Sequence, residues 1–252
     1  MKSRWYLWAV PIFLVLALSA GGLALAGRKL PPPQFRITRD GLLEPLNYPA
    51  WRRTSDWLAQ RKYIMLTFDD GPYGRGVDED ILSILAAHRA HAVFFEVCAH
   101  IDAATQRVPG LILATGNMLG NHTYHHRHLP KLGASALQQE IAGCSAKLAT
   151  VTGIRPTLFR PPWGQLSPAA IAAIHKAGMQ PVLWDANSED TWLKSPKEII
   201  RMSLYEASLG GHILLMHSKP TTATALGPLL TELQKRGFQF VLPTVSGKSS
   251  NK

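Results

Sequence analysis

The chain has 252 residues, 46% of them hydrophobic, and a formal net charge of +10 at pH 7. That is enough for one well-buried domain plus a membrane-directed segment, and it excludes general disorder. No basic helix with interleaved aromatics appears, so nucleic acid is not an expected partner, and the positive excess is read as scattered, solvated surface charge.

The chain opens on the basic MKSR, followed by an uncharged apolar run from Trp5 to Gly27 long enough to span a bilayer. Residues 1–27 are therefore expected to be a signal peptide, with a small-residue cleavage site after Ala26, or an N-terminal membrane anchor flanked by Arg28 and Lys29. Either outcome exports the body to the periplasmic or extracellular face. Residues 28–60 read as a proline-rich linker, RKLPPPQ, and a covering segment, ahead of a regular domain over 61–245 and a flexible tail at 246–252.

From Lys62 onward short apolar runs alternate with segments of helical period. KYIMLTFD, AVFFEV, NMLGNH, TLFR, QPVLWD, HILLMH and FQFVL read as strands, and DEDILSILAAH, RVPGLILAT, SALQQEIAGCSAKLATV, SPAAIAAIHKAG, SPKEIIRMSLYEAS and ALGPLLTELQKRG as helices. This order predicts an α/β fold with a parallel sheet, and the number of units favours a (β/α) barrel. Ser167 and Ser195 each stand before a proline as helix caps, with Glu198 completing a capping box with Ser195. Cys98 and Cys144 are compatible with one bridge, but the expectation is two separate buried thiols.

A barrel of this kind gathers its reactive groups at the C-terminal strand ends. Those ends carry Asp69 and Asp70, His122, Arg160, Asp185 and His217. The stretch GNHTYHHRH, 120–128, holds four histidines, and spacing alone lets His122 pair with either His125 or His126.

TFDDG (67–71), HTYHH (122–126), RPPWG (160–164) and LMH (215–217), in this order, resemble the polysaccharide deacetylases of the NodB homology type, carbohydrate esterase family four. The resemblance spans residues 62–242 and implies a distorted (β/α) barrel of about seven to eight strands. It implies a hydrolase that removes N-acetyl groups from an amino-sugar glycan of the cell envelope. Asp70, His122 and His126 match the metal ligands, leaving His125 and His128 as bystanders or rim residues. The metal is expected to be Zn2+, with Co2+, Ni2+, Fe2+ or Mn2+ also fitting two imidazoles and a carboxylate. Asp69 matches the general base, Arg160 the residue that orients it, the backbone N–H of Trp163 the oxyanion donor, and His217 the general acid, with Leu215 lining the acetyl pocket. The segment WDANSEDTW (184–192) departs from the family's D-x-x-D-W. Asn187 replaces the first acid and Thr191 stands at the aromatic position, with Trp192 one place later, while Asp190 keeps the acid that supports His217.

Other readings stay open at this point: an O-acetyl esterase, a deformylase on a lipid-linked sugar, or a catalytically impaired glycan-binding domain. A non-haem iron oxygenase shares the ligand set but typically has an all-β scaffold.

Overall fold

The computed structural model describes residues 35–37, 43–45, 62–210 and 212–243. The expected leader at 1–27 and the tail at 246–252 lie outside these residues, as does most of the linker. Two short strands, β1 (Phe35–Ile37) and β2 (Leu43–Pro45), pair antiparallel within the stretch expected to be a covering segment. Among the described residues no helix is long and apolar enough to cross a membrane.

The sheet is built from β3 (Tyr63–Gly71), β4 (Ala92–Glu96), β5 (Met118–Asn121), β6 (Leu158–Phe159), β7 (Gln180–Pro181), β8 (Ala186–Asn187), β9 (Ile213–His217) and β10 (Gln239–Phe240). Its order is β7-β6-β5-β4-β3-β9-β8, with β10 added beside the start of β3, and every pairing is parallel. The edge strands β7 and β8 are joined by residues 182–185 alone. Five Cα steps reach at most about 19 Å, whereas seven flat strands would hold those edges about 29 Å apart. The sheet therefore curls on itself, giving an α/β distorted barrel that is open between β7 and β8.

Around it run α1 (Val77–Ala87), α2 (Val108–Ala114), α3 (Ala134–Gln138), α4 (Cys144–Thr152), α5 (Pro168–Lys176), α6 (Pro196–Ser208) and α7 (Pro220–Lys235). Alternation along the strands sorts their side chains between two layers. Ile64, Leu66 and Phe68 of β3, Phe94 of β4, and Leu214 and Met216 of β9 pack outward with Ile81, Leu85, Leu226, Leu229 and Leu230 of the helices. Met65, Val93, Phe95, Leu158, Val182 and Ile213 fill the interior. Two residues beyond Met65 and four beyond it, the same inward face presents Thr67 and Asp69; on β9 it presents Leu215 and His217.

Four local expectations are corrected. The segment expected as one helix across 135–151 is α3 and α4 separated by a π turn, Gln139–Gly143. Cys98 and Cys144 form a disulfide, not two free thiols, because the 3-10 turn Cys98–His100 after β4 packs directly on α4, with Cα atoms 5.3 Å apart. Ser167 caps α5 by accepting the Ala170 N–H, but the Ser195 side chain caps nothing, and its carbonyl accepts the Glu198 N–H. The strand expected over QPVLWD is only two residues long. The carbonyls of Val182 and Leu183 accept instead from Arg160 Nε and Nη2, both at 3.1 Å.

Candidate active site

β3 ends in a bulge. Asp69 pairs with Phe95 and Gly71 with Glu96, so Asp70 is an extra residue, held at φ 66°. A regular strand would send two successive aspartates to opposite faces; the bulge lets both reach the barrel mouth.

Asp70 Oδ1 lies 3.5 Å from His122 Nε2 and 3.3 Å from His126 Nε2. The three ligand atoms all fall within 4.8 Å of one another. His122 follows β5 directly, and its Nδ1–H donates to the Arg160 carbonyl at 2.7 Å, which leaves the Nε2 lone pair aimed at Asp70. Asp70 Oδ1 is buried and accepts no hydrogen bond among the described residues, as expected of an oxygen reserved for a cation. Burial alone would raise the Asp70 carboxyl, yet the close approach of His122, with His217 and His126, holds it well below the usual carboxylate range. Burial pulls His126 downward, which favours the neutral imidazole that a metal requires. The donor set fits a divalent ion.

Asp69 sits behind this set, 3% exposed, with Oδ2 at 3.7 Å from His122 Nε2. Its Oδ1 accepts from Arg160 Nη1 at 2.8 Å. Arg160 is fully buried and spends its donors on Thr67 Oγ1 (2.7 Å), Asp69 and the two carbonyls after β7, while its guanidinium lies 4.3 Å from the Phe95 ring centre. Thr67 donates in turn to the Leu214 carbonyl. The arginine is thus fixed in one geometry, and one carboxylate oxygen of Asp69 is left facing the histidines.

Across the cleft, His217 Nε2 is 3.9 Å from Asp70 Oδ2. Its Nδ1–H donates to Asp190 Oδ1 at 2.7 Å, and its backbone N–H to Asp190 Oδ2 at 2.8 Å. Thr222 Oγ1 also donates to Asp190, and Lys219 Nζ to the Asp190 carbonyl. Burial would raise Asp190, but the His217 hydrogen bond and charge keep it below its ordinary value, so it is a carboxylate. Burial likewise pulls His217 down, and the bond and charge of Asp190 overcome this and raise it. A carboxylate held by an arginine and an imidazole held by a carboxylate therefore flank the Asp70, His122 and His126 set.

The polysaccharide deacetylase family model matches residues 59–182. A peptidoglycan-N-acetylglucosamine deacetylase of Bacillus cereus is 31% identical over 207 residues, covering 79% of this chain and 92% of that protein. The chain belongs to the polysaccharide deacetylase family. The structure of peptidoglycan deacetylase PdaC from Bacillus subtilis aligns with a TM-score of 0.65 and 30% identity, over 73% of this chain and 88% of that one. A CE4 family pseudoenzyme from Bacillus anthracis aligns with a TM-score of 0.67 over 72% of this chain and 64% of that one; at 22% identity this is a likeness of fold alone.

In this polysaccharide deacetylase the remaining sequence candidates are distributed as follows. Trp163 stands in a turn at φ 55°, with its ring 4.5 Å from that of His126. Leu215 is buried two residues before His217 on the same strand face. A cleft of about 540 Å³ beside Asp70 and His217 is lined by Thr191, Tyr73, His100 and Lys219, whereas Trp192 is 79% exposed and does not line it. Asp185 does not join the site: its Oδ1 accepts the backbone N–H groups of His212 (2.7 Å) and Ile213 (2.6 Å), anchoring the start of β9. His125 meets Glu140, and His128 meets Gln165.

Sequence reading missed Thr67, Lys219, Glu140 and Glu96. Thr67 was visible inside TFDDG as the inward residue two before Asp69. Glu96 had no signal beyond a lone acid at the end of an apolar strand. It is fully buried, and burial, then the charges of Asp78 and Asp69, push its carboxyl well above the usual range.

Proposed function

We propose that this chain is a metal-dependent N-deacetylase of an amino-sugar glycan in the bacterial cell envelope, with peptidoglycan the foremost substrate class. The reading is carried by one observation: Asp69 with Arg160, and His217 with Asp190, stand on opposite sides of the Asp70, His122 and His126 set. The relatives in Bacillus cereus and Bacillus subtilis, both peptidoglycan deacetylases, support the choice of substrate.

Amide hydrolysis needs an activated water and a protonated leaving amine. Asp70, His122 and His126 would hold a divalent ion, with zinc the first choice for this ligand set and cobalt, nickel, iron or manganese also suited. Such an ion supplies Lewis-acid polarisation of the acetyl carbonyl and a lower pKa for the attacking water. Asp69 takes a proton from that water on Oδ2, since Arg160 occupies Oδ1. The Trp163 backbone N–H donates to the carbonyl oxygen as charge grows on it, and Leu215 borders the acetyl methyl. His217 Nε2 then delivers a proton to the nitrogen as the C–N bond breaks, while Asp190 holds Nδ1–H and keeps the ring aimed. Acetate and a free amino sugar result. Trp192, next in sequence to the cleft-lining Thr191, has an exposed ring that offers a face to a neighbouring sugar.

The body acts outside the cytoplasmic membrane, delivered by residues 1–27 as a cleaved signal or a retained anchor. Acetate release from peptidoglycan fragments, chitin oligomers and an acetylated exopolysaccharide, each with and without chelator, tests this reading. Release from none of them, by protein that binds the ion, would overturn it.

A further inference from the structure

The loop carrying the two histidine ligands adopts a costly backbone. Thr123 and His126 both have left-handed conformations, with φ of 71° and 54°. For residues with a Cβ each such conformation costs roughly 1 kcal/mol or more and persists only where surroundings enforce it. Three side chains do so. Asn121 Oδ1 accepts the Thr123 N–H at 2.8 Å, while its Nδ2 donates to the Ile141 carbonyl and to Ser145 Oγ. Thr123 Oγ1 accepts the His126 N–H at 2.9 Å. Between them, Glu140 Oε2 accepts the His125 N–H at 2.8 Å, and its Oε1 lies 3.0 Å from His125 Nδ1.

Glu140 is 1% exposed, sits in the π turn between α3 and α4, and is absent from the proposed reaction. A carboxylate buried to that degree is retained at a cost unless its bonds are needed. Both its bonds go to the residue immediately before His126. His125 itself is well exposed at its ring, so the loop at this point has little packing of its own. Cys144, four residues after Glu140, is tied to Cys98, whose N–H donates to the Thr123 carbonyl; the π-turn segment thus grips the loop from two directions.

We propose that Glu140 is a positioning residue for the metal site, clasping the His125 amide and ring so that the turn aims His126 at Asp70. The inference rests on the reading of Asp70, His122 and His126 as metal ligands. The clasp acts through the backbone, so His125→Ala keeps the principal bond and retains most of the affinity, whereas removal of the acceptor does not.

The test is titration of metal-stripped full-length protein with Zn2+ and with Co2+ by calorimetry, alongside thermal melting of each apo variant. Glu140→Ala should weaken binding about 10–100-fold, the range found when groups that orient metal ligands are lost. Glu140→Gln, which keeps an acceptor for the His125 N–H, should stay within about threefold of wild type by the same reasoning. If Glu140→Ala does not fold, Glu140→Asp, which keeps the charge but withdraws the acceptor by one methylene, takes its place. Weak binding by Asp with tight binding by Gln supports the clasp. Wild-type affinity in a folded Glu140→Ala or Glu140→Asp variant overturns it, as does loss in His125→Ala equal to that in His126→Ala. Wild-type protein that binds neither ion overturns the metal reading and this inference together. Normal binding without acetate release would sink only the proposed reaction.

Discussion

Asp69 and His217 differ in what a substrate can do for their loss. Asp69→Asn keeps the side-chain volume but cannot accept the water's proton, so hydrolysis should fall by at least ~10²–10⁴-fold with the metal still bound. His217→Ala should be equally poor on an N-acetyl sugar. On an aryl acetate, whose leaving group needs no proton, His217→Ala should recover and Asp69→Asn should not. Equal recovery of both would exchange or abolish the two assignments. The pH profile gives an independent check, because His217, as the proposed acid, has to be protonated to act. Burial pulls its pKa down, and the hydrogen bond and charge of Asp190, then Asp69 and Asp70, raise it above the ordinary histidine value. Activity should therefore fall as pH rises through that raised pKa. In Asp190→Asn the largest raising contribution goes, so the alkaline limb of kcat should move to lower pH. A limb that stays in place would show that His217 is not the acid.

At the scale of elements, the central strands were legible as short apolar runs that end in chemically capable residues: KYIMLTFD closes on Asp69 and HILLMH on His217. The bulge at Asp70 was not legible, since nothing in TFDDG tells one inward aspartate from two. Nor was the brevity of β6 and β7, where Arg160 takes over carbonyls that a longer strand would have paired. The resemblance, rather than spacing, chose His126 over His125; the structure places His126 beside Asp70 and turns His125 to Glu140. Gly120 on β5 shows how closely element packing bears on Asp69. A Cβ there would stand 2.4 Å from Phe95 Cδ1, and Phe95 carries the Arg160 guanidinium on its ring. Gly120→Ala should cost about 1–3 kcal/mol, the usual range for overpacking, measured by denaturant unfolding. It should also lower kcat by displacing Arg160 from Asp69. Wild-type stability and turnover would mean that Phe95 can move without disturbing the arginine.

For the whole molecule, strand order and chemistry are one arrangement. β3 lies between β4 and β9, which brings the ends of TFDDG and LMH side by side, while β5 and β6 bring His122 and Arg160 to the same mouth. The disulfide between Cys98 and Cys144 is in keeping with a body that works outside the reducing cytoplasm. Everything proposed for the reaction depends on that mouth hydrolysing an acetamide with help from a cation. The most direct measurement is acetate release from N-acetylated peptidoglycan fragments by the purified chain, before and after chelation and after Zn2+ or Co2+ is restored. The account predicts release that chelator abolishes, metal returns, and Asp70→Ala eliminates. Release undiminished by chelation and by Asp70→Ala would contradict it.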